Sequence, residues 1–296
     1  MAMERLPPPG PAPEGTITRA GEVSFYHTEL GAGPATIFLH GGGPGSTGWS
    51  DFGQVAPMFA ATRRCLLLDL LQYGRSEKCR VSGPMWDFHA GALVALMDAL
   101  GIERADFLCN SWGGSIGLCL AARRPERVGA VVVTGSMPVL SGPLAPLPGG
   151  GRRGREARDW YYGGEGPTRA KLRRLIGGLE WYDAGRLPEW TVDMRYRQSL
   201  DEGERALAGL SDEPRGQRQD LTAELGAIGA PVLFLWGMHD AFLGPDYALM
   251  LARMVGQGNL HVMDRAGHHL QEERPVAYHR VVDAFLGSVA AVALDR

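Results

Sequence analysis

Lysine is nearly missing from this chain: Lys78 and Lys171 are the only two, and arginine carries almost all of the positive charge. That bias fits GC-rich coding more than a function, because the formal net charge is only −3 and no block of like charge accompanies it. Without a basic stripe there is no electrostatic footprint for nucleic acid or for an anionic membrane surface, so neither is expected as a partner. Cysteine is scarce as well. Cys65, Cys79, Cys109 and Cys119 form no CxxC pair and no Cys/His ligand spacing, which argues against a structural metal or a redox dithiol. Three of them sit inside apolar runs and read as reduced core residues of a cytoplasmic protein. No apolar run approaches the roughly 18 residues of a membrane span. Residues 1–15 are a flexible proline-rich leader without the basic and apolar regions of a signal peptide. Internal repeats, a P-loop G-K-[ST] and a G-x-G-x-x-G fingerprint are also missing, so phosphate or dinucleotide binding is not expected, nor any other cofactor.

What is present is a large core. At 296 residues and 45% apolar content, the chain exceeds the usual single domain and suits one core carrying an insertion. Short apolar runs alternate with helical patterns, as in parallel βαβ units. The runs 36–39, 65–69, 105–109, 130–134 and 231–236 read as buried strands, and 23–28 with the residues before it reads as an antiparallel edge hairpin. Helices are expected over 86–100 and 276–286, the second opening just after Pro275. From 140 to 218 the strand signal stops and proline, glycine, arginine and aromatics take over. A segment of that size between two strands of one sheet must leave the sheet and return. The expected division is therefore a core of 16–139 and 219–296 with an inserted helical lid at 140–218. Within the lid, 142–155 reads as a mobile entry loop, and 169–179 and 188–200 as helical.

Four local patterns carry chemistry. Asn110-Ser111-Trp112-Gly113-Gly114 follows an apolar strand and opens a helical stretch that stops at Pro125. A serine on so sharp a strand-to-helix turn is held exposed, with the first helix amides pointing toward any anion that forms there. A serine helix cap would look similar in isolation. His40-Gly41-Gly42-Gly43-Pro44-Gly45 directly follows another strand, and a glycine loop beside a nucleophile can offer unobstructed N–H groups. Gly42, Gly43 and Trp112 are the expected oxyanion donors. Asp240 follows the strand PVLFLW, and His268 follows Gly267. The order Ser, Asp, His is the one expected for this arrangement, with Ser111 attacking, His268 taking its proton and Asp240 fixing the imidazole tautomer. His239, His261, His269, Asp246 and Asp264 compete less well, since they lack the glycine-flanked placement. The adjacent pair His268–His269 is poorly placed to converge on one metal ion.

HGGGPG with Gly48-Trp49-Ser50, then Asp69 followed by Gln72-Tyr73-Gly74-Arg75-Ser76, Asn110-Ser111-Trp112-Gly113-Gly114 and Gly267-His268 resembles the meta-cleavage product hydrolases. These are α/β-hydrolases that cleave a carbon–carbon bond in 2-hydroxy-6-oxo-dienoates. The resemblance spans about residues 16 to 288 and implies the α/β-hydrolase fold: a mostly parallel central sheet flanked by helices, with an inserted lid. It implies a small-molecule substrate, a homodimer, and a lid arginine, here Arg195, that grips the substrate carboxylate through a bidentate fork. Asp51, Asn110 and His269 are the further expected substrate contacts. Three positions depart from the pattern. Asp51 stands where an asparagine is usual, His269 where an aromatic residue is, and Cys109 replaces the elbow glycine. The departures at 51 and 269 leave open a non-hydrolytic cyclase or C–C bond-forming enzyme of secondary metabolism; an ester is the other substrate of the hydrolase reading, and the intact triad argues against a ligand-binding pseudo-hydrolase.

Overall fold

Five of the six expected strands are buried runs with little polar content, and such runs are stable only when both faces of their sheet are covered. The computed structural model, which describes residues 8–140, 152–208 and 215–294, resolves them into one eight-stranded sheet ordered β1-β2-β4-β3-β5-β6-β7-β8. β1 (Thr16–Ala20) and β2 (Val23–Leu30) form the antiparallel edge hairpin, and β2 pairs antiparallel with β4 (Arg64–Leu68). β3 (Ala35–Leu39), β4, β5 (Ala105–Asn110), β6 (Val128–Thr134), β7 (Val232–Gly237) and β8 (Gly258–Met263) are parallel.

Side chains alternate between the two faces with period two. Ile37, Leu39, Phe107, Cys109, Val131 and Val133 pack beneath the helices Met85–Ala99, Trp112–Arg123 and Pro245–Met254. Phe38, Leu67, Leu108, Val132 and Leu235 face the opposite layer, where Phe52, Phe59, Tyr278 and Val282 cover them. The helix Pro275–Leu294 opens with proline as expected but runs well past residue 286. No helix among the described residues is long and apolar enough to cross a membrane.

The insert lies between β6 and β7. Its helices span Arg152–Tyr162, Arg169–Leu175, Glu189–Ser199 and Glu202–Ala208, with a π turn at Ile176–Glu180. Tyr161, Leu172, Ile176, Trp181 and Val192 give it a small core of its own. The two helical patches read from the sequence fall within this set, whereas Arg152–Tyr162 and Glu202–Ala208 were not anticipated. Most of the expected entry loop lies outside the described residues. From Arg152 onward that stretch is helix, not loop. The first half of the leader, 1–7, also lies outside the described residues.

Candidate active site

In a parallel sheet the loops at the carboxyl ends of neighbouring strands converge, and ligands bind there. His40 follows β3, Ser111 follows β5, Asp240 follows β7 and His268 follows β8. Ser111 sits at φ 48°, ψ −109°, outside the comfortable regions for an L-residue, immediately before the helix Trp112–Arg123. Two contacts maintain that strain: the Ser111 amide donates to the Thr134 carbonyl at 2.7 Å, and the Gly113 amide to the His40 carbonyl at 3.1 Å. A side chain at 113 would collide with the Leu39 carbonyl, and one at 114 with Ser136, so both glycines are required. Cys109 is tolerated where a glycine was expected because Gly117, one helical turn after Gly113, leaves room for its sulfur: a Cβ there would lie 2.8 Å from Sγ.

His268 Nδ1 lies 2.8 Å from Asp240 Oδ2, and both side chains are buried. The other carboxylate oxygen, Oδ1, accepts from the amides of Phe242 at 2.8 Å and Leu243 at 3.2 Å. The carboxylate is thus fixed by backbone on one side and free to orient the imidazole on the other. The Phe242 ring packs 4.5 Å from the imidazole. Ser111, Trp112 and His268 line a single cavity of about 560 Å³, together with Gly42, Gly43, Trp86, Glu180, Arg215 and other residues. Arg153, Gly154, Arg155, Ala157, Arg158, Leu175 and Leu179 of the insert form part of its wall.

The glycine loop is held from behind. The carbonyls of Gly41, Gly42, Gly43 and Pro44 meet His40 Nδ1 at 2.7 Å, Tyr73 Oη at 3.2 Å, the Ser46 amide at 3.1 Å and Arg195 Nε at 3.1 Å. His40 Nε2 accepts from the Leu70 amide, which places its proton on Nδ1 and lets it donate to Gly41. The Gly41 amide is committed to Asp51 Oδ2 at 2.9 Å, and the Gly45 amide to Glu204 at 2.8 Å. With those carbonyls turned away, the Gly42 and Gly43 amides and the Trp112 amide at the first helical position are the donors the local architecture offers.

Three expected substrate contacts belong elsewhere. Arg195, Asp51 and Asn110 do not line the cavity. Asn110 donates from Nδ2 to the His268 carbonyl at 3.1 Å, tying the end of β5 to the histidine loop. Asp51 anchors Gly41 and accepts from Ser50 Oγ at 2.8 Å. Arg195 is fully buried and its fork is filled by Glu180, through an Nη1 pair with Oε2 and an Nη2 bond to Oε1 at 3.2 Å. A buried guanidinium requires an anion, and this chain supplies its own. His269 does line the cavity, but its ring is also spoken for: Nδ1 lies 2.6 Å from Glu272 and Nε2 3.7 Å from Glu180.

The result is a buried cluster of alternating charge behind the glycine loop. Burial opposes a charge on His269, yet Glu180, Glu272 and Asp51 outweigh it and carry the imidazole up to about 9. Burial would likewise lift the Glu180 carboxyl, but Arg195 and His269 hold it down at about 2. Asp51, His269 and Glu272 bring ligand-type atoms within 4.8 Å of one another. Those atoms are engaged in hydrogen bonds, and Arg195 and His269 already provide the cations. Glu180 carried a sequence signal that was missed, a lone acid in the apolar run IGGLEW. Arg215, in DEPRGQRQD, resembled a solvated residue.

A strained serine between strand and helix, a buried Asp–His pair two strands away and a glycine loop with outward carbonyls are the parts of an α/β-hydrolase. Residues 34–275 match the family model described as alpha/beta hydrolase fold. The chain is 32% identical over 271 residues to a 2-hydroxy-6-oxononadienedioate/2-hydroxy-6-oxononatrienedioate hydrolase of Paraburkholderia xenovorans (strain LB400), covering 90% of this chain and 91% of that one. A 2-hydroxymuconate semialdehyde hydrolase of Pseudomonas sp. (strain CF600) is also 32% identical, covering 94% and 95%. Among solved structures, a 2-hydroxy-6-oxo-6-phenylhexa-2,4-dienoate hydrolase from Rhodococcus sp. strain RHA1 superposes with a TM-score of 0.76 at 26% identity, covering 91% and 96%. The chain belongs to the α/β-hydrolase fold family, within its group of meta-cleavage product hydrolases.

Proposed function

We propose that the protein is a serine-triad hydrolase that cleaves the carbon–carbon bond beside a ketone in a small, partly apolar dienoate-type substrate. The observation that carries this reading is the convergence of the strained Ser111, the Asp240–His268 pair and the glycine loop on one cavity. His268 withdraws the Ser111 proton, and Asp240 holds the imidazole in the tautomer that can accept it. Ser111 Oγ then bonds to the ketone carbon, whose oxygen becomes an oxyanion among the amides of Gly42, Gly43 and Trp112. When the tetrahedral adduct collapses, the C–C bond breaks and its electron pair leaves with the departing carbon. That carbon must be conjugated to a further carbonyl able to delocalise the pair, and the His268 proton completes the leaving group. Water, activated by His268, hydrolyses the remaining Ser111 ester. Esters would pass through the same adduct with an alkoxide as leaving group.

In this reading the insert, taken as 140–218, serves as the lid. A cytoplasmic setting suits the four unpaired cysteines, three of them buried. The named relatives above are all hydrolases, and the natural-product alternative, which rested on positions 51 and 269, loses support because Asp51 is a loop anchor and not a wall residue.

The test is Ser111→Ala with 2-hydroxy-6-oxo-6-phenylhexa-2,4-dienoate, following loss of the dienoate absorbance. Turnover should fall by about a thousandfold or more while the circular dichroism spectrum stays that of the wild type. Undiminished turnover in a folded Ser111→Ala protein would remove serine catalysis. Rearrangement of the dienoate by the wild type without uptake of water would favour the non-hydrolytic alternative.

A further inference from the structure

With Arg195 already paired, an acidic substrate needs another cation, and of the cavity-lining arginines Arg153, Arg155, Arg158, Arg215 and Arg218 it is Arg215 that is buried. Arg215 is 3% exposed and lines the cavity beside Trp86 and Trp112. Its Nη1 donates to Tyr73 Oη, and the guanidinium lies 5.2 Å from the Tyr73 ring and 5.8 Å from the Trp112 ring. Its Nε is buried without a hydrogen-bond partner, and no carboxylate among the described residues comes within ion-pair distance of it. The indole Nε1 of Trp112 is likewise buried and unsatisfied. The acid that influences Arg215, Glu204, is turned to other tasks: it accepts from the Gly45 amide, and burial lifts its carboxyl to about 7. His89 is held neutral, pushed down to about 3 by burial and then by Arg215 itself. Buried charges are rarely left unpaired, because desolvation is offset only by a partner.

We infer that Arg215 is the anion anchor of the cavity. It receives the carboxylate, or the enolate oxygen beside it, of a small acid whose reacting carbonyl lies at Ser111. The inference rests on the functional reading above for the position of the carbonyl, but not for the binding of the anion. It makes Arg215 a specificity-determining residue: acids should bind well and their neutral esters poorly. It also assigns opposite duties to the two arginines buried among the described residues, since Arg195 is closed by a resident carboxylate while Arg215 awaits one from the substrate.

The test measures binding in a Ser111→Ala background by calorimetry, using 2-hydroxy-6-oxo-6-phenylhexa-2,4-dienoate and its methyl ester as probes. Adding Arg215→Met should weaken binding of the acid by about thirtyfold or more and leave the ester within about threefold, because a one-sided loss of a buried charge pair is costly. Arg215→Lys retains the charge without the fork and should weaken only the acid, by about tenfold; it also serves if the methionine variant does not fold. Equal weakening of acid and ester would show that Arg215 merely shapes the wall and would overturn the inference. Unchanged affinity for the acid, or failure of the Ser111→Ala protein to bind it, would overturn it as well. The outcomes separate the two readings. Binding of the acid that depends on Arg215, with no cleavage by wild type, keeps the anchor and discards the hydrolase. Cleavage indifferent to Arg215 does the reverse.

Discussion

Replacing Glu180 with alanine removes the resident carboxylate from Arg195 and leaves a fully buried guanidinium holding only the Pro44 carbonyl. Breaking a buried pair from one side typically costs about 3–5 kcal/mol. An unfolding entropy of about 2.1 cal/mol/K per residue gives roughly 0.6 kcal/mol/K for a chain of this length, so the melting temperature should drop by about 5–8 °C. Because Glu180 lines the cavity, the space it vacates opens toward solvent through that cavity, and a small carboxylate can reach it. Sodium acetate should then restore the melting temperature saturably. At a tenfold excess over its dissociation constant the gain is about 1.4 kcal/mol, or roughly 2 °C. Sodium chloride at matched ionic strength should do far less, since a spherical anion cannot satisfy the fork. Thermal melts of wild type and Glu180→Ala in both salts make the comparison. If Glu180→Ala melts with the wild type, or if chloride matches acetate, the picture of a guanidinium dependent on a resident carboxylate is wrong.

Two further outcomes follow from neighbouring contacts. The folded-state pKa of His269, about 9, lies above its ordinary value, so the stability it contributes is fully present below about pH 6.5 and is lost as pH rises through 9. That is about 3 kcal/mol, and the melting temperature of wild type should fall by about 5 °C between pH 6.5 and 9.5 while His269→Gln lacks that decline; parallel profiles would contradict a protonated His269. At the elbow, Gly117→Ala should destabilise the wild type by about 1–3 kcal/mol through its clash with Cys109 Sγ, and much less in a Cys109→Gly background. Denaturant unfolding of the four proteins would expose strict additivity, which would sink that explanation.

The core was legible because its determinants are local. Five strands read from apolar runs lie within two residues of those observed, since β-branched and leucine-rich stretches such as VGAVVVT have few other ways to be buried. Ser111, Asp240 and His268 could be picked out for a related reason: each sits within a short loop after a strand run, β5, β7 and β8 respectively, and the fold gathers strand ends. The substrate wall was less legible. Glu180 reaches Arg195 from the end of a π turn, where the Trp181 amide bonds to the Ile176 carbonyl, and the additional residue in that turn displaces Glu180 from the face a regular helix would give it. No pattern of period 3.6 shows that displacement. Asp51 was expected at the substrate because it stands where the resembled family has an asparagine, although its partner is a backbone amide, which composition does not reveal. Arg215 lies in a polar stretch, and only the tertiary structure shows that Tyr73 and Trp112 enclose it.

The glycine loop takes its shape partly from the segment inserted 90 residues or more downstream: Arg195 holds the Pro44 carbonyl, Glu204 the Gly45 amide, and the Arg195 backbone leaves no space for a side chain at 45. Enclosing the substrate and aiming the groups that stabilise its transition state are therefore not separable modules in this protein. An insert transplanted from a relative to alter substrate preference would bring a different brace for that loop, and turnover would change along with selectivity even for compounds both inserts admit. Engineering here has to treat Pro44, Gly45, Glu180, Arg195 and Glu204 as one exchangeable unit.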